Sequence, residues 1–563
     1  MRRRSWLLAA AAMIAGCAVG PDYTPPETPV PASWHAPAEG GEKGGPVDLA
    51  KWWEVFGDEK LNALIAEAAQ SNFDVRVAEA RVRAARAARG IVAADLYPNL
   101  NATGSYQRSQ LAKPDPADPS VSFGGGANQY SLSRSATLRT GGLSASSSSS
   151  ITRLGALVMG NANNAQQGNP GGQGGQQGGG SLLHPFQNRN LSFTPDGAPS
   201  FDRTQDLYQA GFDATWELDV FGGNRRAVEA ANADIAAAEE GRRDVLVSLL
   251  AEVARNYLTL REAQARLGIA NENIEAQRNT VNITKSRSAA GLTSEFDVTR
   301  AEAQLATTTS QVPAQENIVA STIHRLSVLL GKDPAALFDE LSIGTPLPPR
   351  PPEVPTGMPS DLLRRRADVR RAERELAAAT ARIGEAAADL FPKFSLTGNF
   401  GFQSDKLSDF TIGANQIWGI GPSIRWPLFD AGRIRANINV QNAREEQAFA
   451  LYEKSVKESL EDAETSLVAY SKEQERFRSL DVAVNAEKRA VELANERYVR
   501  GLSDFVNVLD AQRSLYFAQD QLVQSQTTVL LNLVTLYKAL GGGWESFETA
   551  STAQTDDATT GQG

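Results

Sequence analysis

Few residues in this 563-residue chain have types and spacing that chemistry could use. Cys17 is the one cysteine, so a disulfide framework and any multi-cysteine zinc site are excluded. His35, His184 and His324 lie far apart and give no metal-ligand spacing. His324 sits in an apolar-periodic stretch and reads as structural rather than as a ligand. No Ser/His/Asp set, phosphate loop or paired-carboxylate motif stands out, and the acids of the long helical stretches read as solvated faces. The expectation is that the chain is not an enzyme. The 56 basic and 66 acidic residues leave a net charge of -10, against general nucleic-acid binding, which needs a basic footprint.

The cysteine thiol is the best chemical candidate. Arg2, Arg3 and Arg4 precede a short apolar run at 6–14, and Ile14, Ala15 and Gly16 lead into Cys17. This is a secretory signal, residues 1–16, rather than a spanning helix. Small residues before a cysteine also resemble the bacterial lipobox, in which the thiol receives a diacylglyceryl group. Firm anchoring takes more than one acyl chain, each buried CH2 contributing about 0.8 kcal/mol. Ala18, rather than Asp, follows the cysteine and points to the outer membrane. Apart from this covalent lipid, no cofactor is expected.

Positioning elements emerge from comparing the chain with itself. Asp74, Val75, Arg76, Glu79 and Pro98 recur as Asp368, Val369, Arg370, Glu373 and Pro392, an offset of 294. Trp216, Leu218, Gly222, Gly291, Leu292 and Leu330 recur as Trp426, Leu428, Gly432, Gly501, Leu502 and Leu540, an offset of 210. The two offsets differ by 84 residues, which places an insertion between Pro98 and Trp216. Its Ser, Gly, Gln and Asn runs cannot bury enough apolar surface to offset ordering entropy, so 109–203 reads as disordered. The division expected is an anchored segment at 17–57, a first repeat at 58–345, a Pro-rich linker at 346–359, a second repeat at 360–545 and a disordered tail at 546–563.

Within each repeat the hydrophobic period changes twice. Tyr208, Ala210, Phe212, Ala214 and Trp216 alternate with polar residues. Phe394, Leu396, Phe400 and Phe402 do the same, as do Trp418, Ile420, Ile424 and Trp426; Leu100, Ala102 and Tyr106 give a weaker fourth strand. A half-buried soluble sheet has this pattern too. Strands of roughly 10 to 13 residues with aromatics near their ends also fit a membrane barrel. Four strands cannot close a usable barrel, but three chains would supply twelve. Each second strand leads into a proline-free stretch of 67 residues, about 100 Å as helix. Leu246, Leu249, Val253, Asn256, Leu260, Ala263, Leu267, Ala270 and Ile274 form a heptad-like seam along the first of these. Gly291 and Gly501 end the long helices, and return helices run to about Leu330 and Leu540. Leading helices are expected at 58–95 and 360–389. Gly241, inside the first long helix, costs about 1 kcal/mol relative to Ala and has no evident purpose.

Three motifs resemble one family. Cys17-Ala18-Val19-Gly20-Pro21-Asp22-Tyr23 resembles the mature start of outer-membrane factor lipoproteins of tripartite efflux systems, the OprM/NodT group of the TolC superfamily. Trp216-Glu217-Leu218-Asp219-Val220-Phe221-Gly222-Gly223-Asn224-Arg225-Arg226 resembles its strand-to-helix junction, and Leu509-Asp510-Ala511-Gln512-Arg513-Ser514-Leu515 its second hairpin. The resemblance covers nearly all the chain outside 109–203 and the tail. It implies a mainly α fold with membrane β: a homotrimer with a 12-stranded outer-membrane barrel and a long periplasmic helical barrel. It implies a passive exit duct for drugs or other small molecules in a Gram-negative outer membrane. The implied partners are a periplasmic adaptor (membrane fusion protein), an inner-membrane resistance-nodulation-division transporter and outer-membrane lipid. It also assigns Val506 and Asp510 to a periplasmic gate, where three carboxylates would repel or recruit cations. From the residues alone, Asp510 is an acid in an early helical turn that complements the macrodipole. The hairpin tips Gly291, Leu292, Gly501 and Leu502 are the expected adaptor contacts; as residues they are also turn-makers. Two alternatives are a type I protein-secretion conduit and a periplasmic coiled-coil scaffold lipoprotein without a pore. A scaffold has no need of four alternating strands at matched places.

Overall fold

The computed structural model describes residues 18–35, 49–110, 204–349 and 359–548, together with the backbone of four two-residue strands at 42–43, 192–193, 199–200 and 354–355. Two compact units emerge: a helical one (Met1–Asn99, Thr215–Leu396, Pro422–Gly563) and a strand one (Leu100–Ala214, Thr397–Gly421).

The first repeat runs α1 (Glu59–Ser71), α2 (Phe73–Ala94), β1 (Asn99–Gln110), β2 (Thr204–Leu218), α3 (Gly223–Ala289), α4 (Glu295–Thr309), α5 (Val312–Leu329) and the short α6 (Phe338–Leu341). The second runs α7 (Pro359–Arg365), α8 (Ala367–Ala388), β3 (Lys393–Ser404), β4 (Gln416–Arg425), α9 (Arg433–Val499) and α10 (Phe505–Ala539). Both bounds of α2 and β1 meet those of α8 and β3 at an offset of 294, and both bounds of α3 meet those of α9 at 210. The offset changes between β1 and β2, which locates the insertion in their connection.

The long helices are held by packing rather than by propensity. Of the nine seam positions on α3, seven are buried; Asn256 and Leu267 are partly covered. Leu250, Ala254, Tyr257 and Leu258 are buried too, so α3 hides more than one stripe. It lies against α2, α5, α8 and α10. Each fully buried Leu, such as Leu250 or Leu530, contributes about 2 kcal/mol. The main core gathers where the chain begins and ends. Trp52 stacks on Tyr537 at 5.5 Å, and Trp53 on Phe547 at 5.8 Å. The guanidinium of Arg243 lies 4.6 Å from the Trp544 ring centre. Burial pushes the Tyr537 hydroxyl up to about 12. Tyr257 also rises to about 12, through burial and the 2.6 Å hydrogen bond it donates to Asp58.

The sheet order is β1-β2-β3-β4. Thr103 bonds Asp213 and Tyr106 bonds Asp206, so β1 and β2 run antiparallel. Tyr106, Phe212, Phe400, Trp418, Ile420 and Ile424 are exposed on the apolar faces of their strands. Thr103 with Asp213, and Ser105 with Gln209, hydrogen-bond across the opposite, polar face. A half-buried soluble sheet covers its apolar face; this one presents it outward, as a lipid-facing sheet does. Among the described residues no helix is long and apolar enough to cross a membrane.

Several expected boundaries move. Ser109 and Gln110 belong to β1, not to the insertion, and Pro359 starts α7 rather than closing the linker. The tail expected from 546 begins later: Phe547 packs in the core and Glu548 pairs with Arg243. The disorder expected for the insertion and the tail lies outside the described residues. Both leading helices are broken. Asn72 caps α2, accepting from the backbone of Asp74 at 2.7 Å and Val75 at 3.3 Å, and Arg366 stands at the matching break. The first return arm is two helices rather than one.

Candidate functional site

Two sites combine the residues singled out by sequence. The first is the pair of hairpin turns. Gly291 and Gly501 both have φ of 72°, a left-handed conformation that a Cβ would strain. Each lets the turn close in the same way. The N–H of Leu292 bonds the Arg287 carbonyl at 2.9 Å, and that of Leu502 bonds the Arg497 carbonyl at 2.8 Å. Leu292 and Leu502 are both 65 % exposed, so they do not cap the hairpin core as their position could allow.

Behind the turns, Val281, Ala301, Tyr498, Phe505, Val508 and Leu509 form a small apolar cluster that joins α3, α4, α9 and α10. Arg287 stacks over Tyr498 at 4.9 Å and ties the end of α3 to that of α9. On α10, Val506 and Asp510 lie one turn apart and both are exposed. The helix starts at Phe505, so Asp510 falls beyond the first turn, where the macrodipole has decayed. The dipole therefore gives no structural reason for an acid there. The 210 offset identifies two residues that the sequence reading passed over: Phe296 and Arg300 occupy the places of Val506 and Asp510 in the first hairpin. Arg300 covers the exposed Phe296 ring at 5.3 Å. One tip thus offers an aromatic and a cation where the other offers an aliphatic and an anion.

The second site holds the start of the described chain. Cys17 itself lies outside the described residues. Immediately after it, the Val19 N–H bonds the Phe221 carbonyl at 3.0 Å. Arg226, 4 % exposed, donates to the carbonyls of Val19 and Gly20 at 3.3 Å and to Asp22 at 2.6 Å. Tyr23 donates to Glu373 at 2.6 Å; burial, then that bond, pushes its hydroxyl up. Gly20 lies on Gly384 of α8, and a Cβ on Gly20 would come within 2.3 Å of the Gly384 Cα. The lipoprotein-start motif is thus bound by the strand-to-helix junction motif, two stretches that sequence treats as separate.

An outward apolar sheet and long hairpins with exposed tips are the parts of an outer-membrane channel subunit. The outer membrane efflux protein family matches residues 64–152, 187–332 and 358–542, breaking inside the insertion. The toluene efflux pump outer membrane protein TtgC of Pseudomonas putida is 30 % identical over 543 residues, 96 % of this chain and 95 % of that protein. Nodulation protein T of Rhizobium leguminosarum bv. trifolii is 27 % identical over 537 residues, 94 % and 96 % respectively. The solved outer-membrane channel OprN has a TM-score of 0.75 at 32 % identity, over 94 % of this chain and all of that one. The chain belongs to the outer membrane efflux protein family. Its fold is that of the TolC-like trimeric channels, four strands per chain, and its place is the outer membrane, reaching into the periplasm.

Proposed function

We propose that the chain is the passive exit duct of a tripartite pump, gated at its periplasmic hairpins and performing no bond chemistry of its own. The carrying observation is the exposed pair Val506 and Asp510, one turn apart on the second hairpin and unexplained by packing or by the helix dipole. In a trimer, three copies of this pair form an apolar ring followed by an acidic ring. Leu292 and Leu502, on turns set by Gly291 and Gly501, are the docking points for a periplasmic adaptor. An inner-membrane resistance-nodulation-division transporter supplies the energy and selects the cargo. Cys17 carries the lipid, and Arg226 holds the following residues at the strand-to-helix junction. The relative named for toluene efflux supports small apolar cargo.

The test is Val506→Ala combined with Asp510→Ala. Bilayer conductance of the purified channel is expected to rise several-fold, and cells should become sensitive to vancomycin. Wild-type values of both would move the gate away from this hairpin.

A further inference from the structure

Alternation assigns every strand residue to one of two faces, and side-chain contacts fix which residues share one. Tyr106 packs on Tyr208 with ring centres 4.8 Å apart on the outward, apolar face. Thr103 with Asp213, and Ser395 with Ser423, meet on the polar face. Followed along all four strands, the polar face carries Asp213, Glu217, Lys393 and Arg425. The charge on the outward face is confined to Arg108 and Asp206. These two are neighbours. Asp206 accepts from Tyr106 at 2.9 Å and lies 3.6 Å from the Arg108 Nε.

Charge on a lipid-facing barrel surface is costly at mid-height and nearly free at the edges. Arg108 and Asp206 stand at an edge. β1 ends at Gln110 and β2 begins at Thr204, so both residues lie at the strand ends away from the junctions with α2 and α3. The helices reach into the periplasm, so this is the outer rim. The inner rim carries its own marks. Trp216 donates its indole N–H to the Leu96 carbonyl at 2.9 Å, and Trp426 donates to that of Leu390 at 3.0 Å. From Trp216 back to Asp206, β2 climbs about 33 Å along the strand. At the usual barrel tilt this is about 25 Å in height, the height of an apolar band. Tyr106 and Tyr208 then fall at the outer interface, where aromatic rings concentrate. Arg108 falls level with the headgroups.

An exposed ion pair of this kind adds little stability. The Arg108 side chain is 64 % exposed and that of Asp206 30 %, so the cation faces the surroundings more than the anion does. β1 and β4 are the edges of the sheet, and they join chain to chain when the barrel closes. The outward face of β4 is uncharged, so closure brings Arg108 no second counter-charge from that strand.

We propose that Arg108 binds a phosphate of the glycolipid that forms the outer leaflet of the outer membrane. A guanidinium stays charged and offers a phosphate two parallel N–H donors. Asp206, held by Tyr106, keeps the arginine on the outward face until a phosphate takes its place.

The test uses the full-length trimer, extracted from outer membranes in mild detergent, stripped of lipid and incubated with lipid A bearing both phosphates. Native mass spectrometry reads the lipid retained. The wild type is expected to keep one lipid A per chain. Arg108→Gln should keep several-fold less, and Arg108→Lys an intermediate amount, because the charge remains and the paired donors do not. Lipid A without phosphates should not distinguish the wild type from Arg108→Gln. Equal retention of the phosphorylated form by both, with both trimeric in the same spectra, overturns the proposal. Phosphatidylglycerol at equal phosphate should leave lipid A in place; its full displacement overturns the glycolipid as the source of the phosphate. Asp206→Asn removes the competing carboxylate and keeps an acceptor for Tyr106, so retention should rise. A fall would place the lipid on a metal ion bridged by Asp206 and overturn the role given to Arg108.

Discussion

In the first repeat the arm returning from the hairpin tip is two helices, α4 and α5, separated at Ser310 and Gln311; in the second it is the single 35-residue α10. Pro313 accounts for the break. It has no N–H to give to the carbonyl four residues back, and its ring disfavours the preceding turn as helix interior. At the offset of 210 stands Val523, which has neither defect. The C-terminal caps of α3 and α9 agree closely, down to the 72° φ of both tip glycines. Shared caps with unequal arms teach that the two hairpins have the same plan but different stiffness. The jointed arm ends in Phe296 and Arg300, and the rod ends in Val506 and Asp510.

The largest effect should come from imposing the joint on the rod. Val523→Pro in α10 removes a backbone bond and is expected to cost about 3 kcal/mol or more. Thermal melting of the detergent-purified trimer, followed by circular dichroism, should show a marked drop. An unchanged midpoint would mean that the arm tolerates a joint and that stiffness does not distinguish the hairpins.

Next in size is the break at the head of each leading helix. Asn72 fills it by capping and donates to the Leu329 carbonyl at 2.8 Å. Arg366 fills it with charge, bonding Asp368 at 2.6 Å, Asp462 at 3.0 Å and the Ala539 carbonyl at 3.1 Å. Arg366→Ala should cost about 2 kcal/mol at neutral pH, because charged hydrogen bonds are lost and Asp368 keeps no guanidinium. Burial pushes the Asp368 carboxyl up, but the Arg366 hydrogen bonds and charge outweigh it and hold the group below its ordinary range. A depressed folded value means the stabilisation is complete above the ordinary carboxylate range and is lost as pH falls through the depressed value. The wild type should therefore lose stability on acidification along a limb that Arg366→Ala lacks. Parallel acid limbs would show that the pair is not the source.

The smallest change has the opposite sign. Gly241 on α3 has room for a Cβ, which would make an ordinary 3.7 Å contact with Arg371, and nothing in the structure requires a glycine there. Gly241→Ala should raise stability by up to about 1 kcal/mol, read as a higher melting midpoint. A loss would mean that the contact between α3 and α8 is too tight for a Cβ at this position.

Much of the fold was readable because the repeat imposes the same pattern twice. Alternation from Tyr208 to Trp216 gave the strands, and the seam from Leu246 to Ile274 gave the face of α3. Breaks were harder. Asn72 and Arg366 interrupt an amphipathic pattern that continues on both sides, so periodicity runs over them. Pro313 was visible, but it sits in the first turn of α5, where proline is compatible with helix, so it does not by itself mark an end. Of the candidate sites, the glycine turns were legible because their φ demands a residue type. The hold of Arg226 on the start of the described chain was not: Arg226 lies more than 200 positions from Asp22, and no local pattern pairs them. The Phe296 and Arg300 counterparts were available from the 210 offset, but the differing residues hide the equivalence.

The stacking of Trp52 and Trp53 on Tyr537 and Phe547 has a consequence in time. The main core draws on both ends of the described chain, so almost the whole polypeptide separates its partners. Its loop closes only after that length has been delivered, and long-range closure is slow. During secretion the early tryptophans wait, uncovered, for the last helix to arrive. Until then this apolar surface stays only partly covered, and such exposure is what makes a folding chain prone to aggregate.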